Sequence, residues 1–150
     1  MTEQNLDQLL SEAVDTVLET MFFSMPLGPA EAETGAAVIE ASVAFHGRLS
    51  GTLGVCLSTP AARILAAGFL GEEEEMLTET QPSEVVCELA NMLCGSLASR
   101  LESDESFDLT SPELRPAANV AGVDSESLPA ARQSFELENG ILTVTLRICV

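Results

Sequence analysis

Asn139-Gly140 is a strong two-residue hairpin signal, because a type I′ turn needs positive φ at both central residues and these two tolerate it well. The pair separates two alternating runs. In Ser134 to Glu138, Phe135 and Leu137 alternate with Ser134, Glu136 and Glu138; beyond the turn, Leu142, Val144, Leu146, Ile148 and Val150 share one face. A hairpin with one apolar face commits the chain to an antiparallel sheet, and that face must be covered.

A second hairpin precedes it. Between Val38 and Phe45, Ile39, Ala41, Val43 and Phe45 alternate with Glu40, Ser42 and Ala44. Gly47 and Arg48 make the turn. On the returning strand Leu49, Leu53, Val55 and Leu57 point one way, and Ser50, Thr52 and Ser58 the other. His46, beside the turn, is expected to be exposed.

Three segments supply the cover. From Thr2 to Met21, Leu6, Leu9, Leu10, Ala13, Val14, Val17, Leu18 and Met21 recur at helical spacing, with Thr2 as N-cap. Thr59-Pro60 starts a short helix, the hydroxyl capping and the proline in the first turn, with Ile64, Leu65, Phe69 and Leu70 on its apolar face and Gly71 at its end. Pro82 opens a third helix, capped by Thr80 or Gln81, that runs to Leu101. Leu27 to Gly35 reads as a loop, and Glu72 to Glu75 as solvated carboxylates rather than a cation site. Ser103-Asp104-Glu105 reads as a turn and Phe107 to Leu109 as a short strand. Pro112, Pro116 and Gly122 break up the next stretch, leaving at most one irregular strand at Ala117 to Ala121.

The order helix, hairpin, helix, then helix, strands, hairpin predicts one α+β domain over residues 1–150, with an antiparallel sheet, helices packed on one face, and two loosely duplicated helix-plus-hairpin halves. Ser11-Glu12-Ala13-Val14 beside Ser83-Glu84-Val85-Val86 hints at the repeat.

Composition narrows the function. Six Lys plus Arg against 24 Asp plus Glu leave a net charge of −18, which repels phosphate backbones and anionic lipid. Nucleic acid and membranes are poor partners for such a chain. Met1-Thr2-Glu3-Gln4-Asn5 lacks the basic residues and apolar run of a signal peptide, and no apolar stretch reaches the roughly 20 residues of a membrane span. The expected location is cytoplasmic. Cys56, Cys87, Cys94 and Cys149 form no CxxC pair and have no histidine at ligand spacing, so buried thiols are expected rather than zinc ligands.

The third helix carries the chemistry. At about 100° per residue, Glu84, Glu88, Asn91, Gly95, Ser99 and Glu102 fall on one stripe, while Val85, Val86, Leu89, Leu93, Leu97 and Leu101 face away. The helix holds no Ser-His pair, the chain has one histidine, and it has no Gly-rich phosphate loop. Self-contained hydrolysis is poorly provided for. An amide can hold a water by donating and accepting hydrogen bonds, and a carboxylate can pair with a lysine, so Glu88 and Asn91 suit the completion of a partner's active site. Gly95 removes bulk beside Asn91 and lets a partner approach; Glu84 and Gly95 are read as partner-binding positions.

The run Glu88-Leu89-Ala90-Asn91-Met92-Leu93-Cys94-Gly95, the segment Val17-Leu18-Glu19-Thr20-Met21-Phe22-Phe23 and the segment Gly51-Thr52-Leu53-Gly54-Val55 resemble the CheX type of chemotaxis phosphatase, related to CheC and to flagellar-switch phosphatases. The resemblance spans essentially the whole chain. It implies a CheC-like fold and a phosphorylated CheY-like response regulator as partner, into whose active site the Glu-x-x-Asn helix inserts. Asn91 would orient the attacking water and Glu88 would engage the regulator's lysine. Mg²⁺ would sit in the partner, with no cofactor bound by this chain. The family often has Asp or Ser where this chain has Glu84. Thr16 and Glu19 stand in the first helix where Glu88 and Asn91 stand in the third, so a second active motif is not expected. The resemblance also implies a homodimer. The competing readings are a non-catalytic docking module for a receiver or flagellar-switch component, which would use the same helix, and an acidic decoy of a nucleic-acid site, which leaves the one-sided stripe unexplained.

Overall fold

The apolar faces of both hairpins come together in one antiparallel sheet. The computed structural model describes residues 3–22, 26–29, 37–47, 50–101, 108–115, 130–137 and 140–149. In chain order the elements are α1 (Glu3–Met21), β1 (Gly28–Pro29), β2 (Val38–His46), β3 (Ser50–Ser58), α2 (Thr59–Leu70), a 3₁₀ turn at Glu74–Met76, α3 (Gln81–Leu101), β4 (Asp108–Leu109), β5 (Glu113–Arg115), β6 (Ala131–Leu137) and β7 (Gly140–Cys149). The strands lie in the order β1-β6-β7-β3-β2-β4, with β5 also paired to β2.

The halves repeat. Each runs helix, one or two short strands, long hairpin, and the two hairpins join antiparallel through β3 and β7, with Val55 opposite Val144. Each half's short strands pair with the other half's outer strand: β1 with β6, and β4 and β5 with β2. The helices cross over likewise, α1 lying on β6 while α3 lies on β2 and β3. α2, which has no counterpart among the described residues, packs against α3 and β7.

The core forms between the helices and one sheet face. Ala41, Val43 and Phe45 of β2, Leu53, Val55 and Leu57 of β3, and Leu142, Val144 and Leu146 of β7 are buried there, as the period-2 pattern predicts. Leu10, Val14 and Leu18 of α1 and Leu89, Leu93 and Leu97 of α3 meet them at helical spacing. Truncating any one of these leucines to alanine costs about 2–5 kcal/mol through lost burial and the cavity left behind. Phe22, just beyond α1, stacks on Phe69 of α2 with ring centroids 4.8 Å apart. Met21, placed on the apolar face by its spacing, is 43% exposed because α1 ends there.

Several expectations change. The register of the last hairpin sets Leu137 opposite Gly140, two residues from the pairing that an Asn139-Gly140 turn would impose. Gly140 is a strand residue without positive φ, and Asn139 lies outside the described residues. A Cβ there would overlap the Ser58 hydroxyl and crowd Ala61, so the glycine answers to packing. Ser58, read as facing outward, is buried where β3 passes straight into α2. Ser58 also takes the cap position of α2, without a side-chain cap bond, whereas the Thr59 hydroxyl donates to the Ala37 carbonyl at 3.2 Å. Gly71 ends α2 at φ 68°, a left-handed cap whose N–H reaches the Ala67 carbonyl.

Two short strands were hidden by proline. β1 falls in the segment read as a loop, where Leu27 donates its N–H to the Glu136 carbonyl at 2.7 Å and Pro29 needs no ladder donor at a sheet edge. β5 sits between Pro112 and Pro116 and sets Leu114 opposite Ala41. The expected cap Thr2, the turn at 103–105 and the strand at 117–121 lie outside the described residues.

Candidate functional site

α3 is positioned before its polar stripe is used. The Gln81 side chain accepts from the Thr78 N–H at 2.8 Å, and the Thr80 carbonyl accepts from the Glu84 N–H at 3.0 Å, the first helical bond. Thr80 is thus the cap residue of the two considered. Val85, Val86, Leu89, Ala90, Leu93, Cys94 and Leu97 are then buried, which fixes the rotation of the helix and turns the opposite stripe outward.

On that stripe Glu84 and Glu88 are exposed, while Asn91 and Gly95 are half-buried. The Thr80 hydroxyl lies 3.5 Å from a Glu84 carboxylate oxygen. Neither Glu88 nor Asn91 has a hydrogen bond or ion pair with another described residue. Their separation of three residues is about 4.5 Å along the helix axis, so one incoming group meets both.

The two thiols of α3 supply no nucleophile beside them. Burial pushes the Cys87 thiol up, and the neighbouring carboxylates of Glu88 and Glu84 push it further; burial alone drives Cys94 up to about 12. Both thiols are protonated at neutral pH and unsuited to attack. His46, the single histidine, is exposed opposite Asp108 at the end of β2. Among the described residues, no group of three or more His, Cys, Asp or Glu could hold a metal ion. Glu72 to Glu75 are exposed around the 3₁₀ turn. The arrangement can pair a carboxylate with an incoming cation and hold a water or oxyanion with a carboxamide.

One neighbour of the stripe was missed. A Cβ on Gly95 would lie 3.9 Å from the Leu109 Cδ1 of β4, and among the described residues, its chain neighbours and the helix's own backbone aside, nothing else comes as near. Gly95 therefore leaves a notch walled on one side by Leu109, which is 37% exposed. The reading of Phe107 to Leu109 as a strand contained the residue. Its place beside α3 depends on the long-range pairing of Leu109 with Phe45, which local patterning does not reveal.

Three helices on an antiparallel sheet match the fold of CheC-like and CheX proteins. The chain resembles a CheC-like superfamily protein from Shewanella sp. PV-4 with a TM-score of 0.69 at 19% identity, over 97% of this chain and 98% of that one. It also resembles the chemotaxis protein CheX from Vibrio vulnificus (TM-score 0.77, 18% identity, 99% of both chains). A chain of the CheX–CheY–BeF₃–Mg²⁺ complex from Borrelia burgdorferi matches with a TM-score of 0.71 and 20% identity, over 95% of this chain and 97% of that one. At such identities these likenesses establish the fold. The family model for chemotaxis phosphatase CheX matches residues 39–136, a span that includes all of α3. The chain belongs to the chemotaxis phosphatase CheX family. A search of curated proteins returns no match. Among the described residues no helix is long and apolar enough to cross a membrane.

Proposed function

We propose that this chain hydrolyses the aspartyl phosphate of a CheY-like receiver domain, with Glu88 and Asn91 acting across the interface. The observation that carries the reading is their shared, outward stripe on α3, where both side chains are left without hydrogen-bond or ion-pair partners among the described residues. Family membership supports a phosphatase, and the Borrelia burgdorferi CheX–CheY complex supports a receiver as the partner.

Asn91 holds the attacking water in line with the phosphorus through its amide. The water oxygen bonds to phosphorus as the bond to the aspartyl oxygen breaks, giving a free carboxylate on the receiver and inorganic phosphate. Such a loose transition state asks a protein mainly for positioning and charge compensation. Glu88 pairs with a receiver lysine and sets the register of docking. All six cations of this chain are arginines, so a lysine at that pair comes from the partner. Mg²⁺ belongs to the receiver in this scheme, and the protein works in the cytoplasm beside it as a homodimer of a one-domain chain. Glu84 adds negative charge at the rim.

The test is phosphate release from a phosphorylated receiver, with the wild type compared against Asn91→Ala. The wild type speeds the decay and Asn91→Ala does not. A wild type that binds the receiver but leaves its decay unchanged makes the chain a docking module instead. Light scattering on the purified protein decides the homodimer.

A further inference from the structure

We infer that Leu109 is a receiver-docking residue: with Gly95 it frames a notch beside Asn91 that takes one apolar side chain of the receiver. The inference rests on the proposed phosphatase function and adds to it a residue from outside α3 and the chemistry of what enters.

The notch arises from three placements. Gly95 is one turn beyond Asn91 on the same stripe, about 6 Å along the axis, so a surface that covers Asn91 also lies close to it. Leu109 stands opposite Phe45 in the sheet; paired residues share a face, and Phe45 points into the core, so Leu109 points to the helix side. There its Cδ1 comes within van der Waals range of a Cβ at Gly95 while 37% of the residue stays exposed. Leu114 repeats the geometry further along the same edge of β2. It stands opposite buried Ala41, turns to the same side, and is 51% exposed.

Two leucines thus lie on the helix side of the edge strands that α3 touches. They sit in an acidic frame, with Glu84 and Glu88 exposed on the helix and Asp108 and Glu113 exposed on the edge strands. An apolar contact inside a ring of carboxylates fits a partner with an apolar side chain bordered by cations. The receiver lysine that pairs with Glu88 meets that requirement, which favours the receiver over a second copy of this chain at net charge −18.

Gly95→Ala and Leu109→Asn test the notch by filling it and by wetting its wall. Steady-state dephosphorylation of the phosphorylated receiver should show KM raised about tenfold in each, the loss of roughly one small apolar contact, with kcat within about twofold of wild type. Gly95→Ala should meanwhile melt about 3 °C higher, since alanine is the better helix former and 3.9 Å leaves room for its methyl. Higher stability with weaker docking is a combination that a merely structural glycine would not give. Leu27→Asn, 68% exposed beside β1 at the other edge, is the control and should leave KM unchanged. Unchanged KM in both notch variants overturns the proposal, as does a change of oligomeric state without a change in KM, which would assign the surface to a second copy. A wild type that releases no phosphate overturns the functional reading; Kd for the beryllofluoride-bound receiver then decides the notch, weakening about tenfold in both variants if it stands and unchanged if it falls.

Discussion

The Arg100 guanidinium of α3 donates to the Thr16 hydroxyl of α1 across 2.9 Å, joining the two helices that correspond to each other in the two halves of the fold. A Glu12 carboxylate oxygen lies 4.0 Å from the same guanidinium, and the Ser96 hydroxyl 3.4 Å from its Nε. Among the described residues Glu88 and Asn91 of α3 have no hydrogen bond or ion pair, whereas Thr16 and Glu12 of α1 hold α3 through Arg100.

Arg100→Ala should lower stability by about 0.5–1 kcal/mol, because these contacts are at the surface and solvent screens the ion pair. Urea unfolding checks this. A loss above about 3 kcal/mol would mean that the guanidinium works as a buried anchor, contrary to its exposure.

Gly140→Ala should cost about 1–3 kcal/mol, since the new methyl runs into Ser58 and Ala61 where β3 enters α2. Ser58→Gly should recover part of that loss in a double-mutant cycle. Ser58→Ala alone should be neutral or mildly stabilising, because the buried hydroxyl has no hydrogen-bond partner among the described residues. If Gly140→Ala costs nothing, the Leu137–Gly140 register is wrong.

Legibility in the sequence depended on periodicity. The faces of α1, α3, β2, β3 and β7 were readable because every second or every third-to-fourth residue reports the same environment. The hairpin register was not, because a slip of two residues preserves every face: Leu142 is buried whether it stands opposite Leu137 or, as found, Phe135. β1 and β5 escaped because strands of two and three residues have no period, and prolines beside them favour a loop reading. The same division holds at the site. Glu88 and Asn91 share a helix and were placed together by spacing, whereas Leu109 reaches α3 through a strand pairing made far along the chain.

Alanine at position 88 or 91 removes no hydrogen bond to another described residue and suits a helix, so either variant should unfold within about 0.5 kcal/mol of wild type. Activity should separate them. Asn91→Ala should lower the maximal rate of receiver dephosphorylation by about 100-fold, the scale of losing one positioning contact, with little change in KM. Glu88→Gln keeps the shape and removes the charge, so it should raise KM chiefly at low salt, where long-range attraction counts most. If Asn91→Ala weakens binding but keeps the maximal rate, its amide does not orient the water.

Cys94 makes stability pH-dependent on the alkaline side. The thiol is 1% exposed, and burial pushes its pKa from 9.0 to about 12, so the folded chain holds that proton more tightly than the unfolded one. Below pH 9 both states are protonated and the stabilising effect is present in full. Between pH 9 and about 12 only the unfolded state loses the proton, and stability should fall by up to about 1.4 kcal/mol per pH unit from this group. Cys87 and Cys56 shift in the same direction through burial and nearby carboxylates, so the wild-type decline should be steeper than one thiol alone produces. Urea midpoints at pH 8, 9, 10 and 11 for wild type and Cys94→Ala isolate the Cys94 contribution. The variant should start less stable at pH 8, through the small cavity, and then lose stability more slowly as pH rises; parallel curves would show that Cys94 is not desolvated in the folded chain.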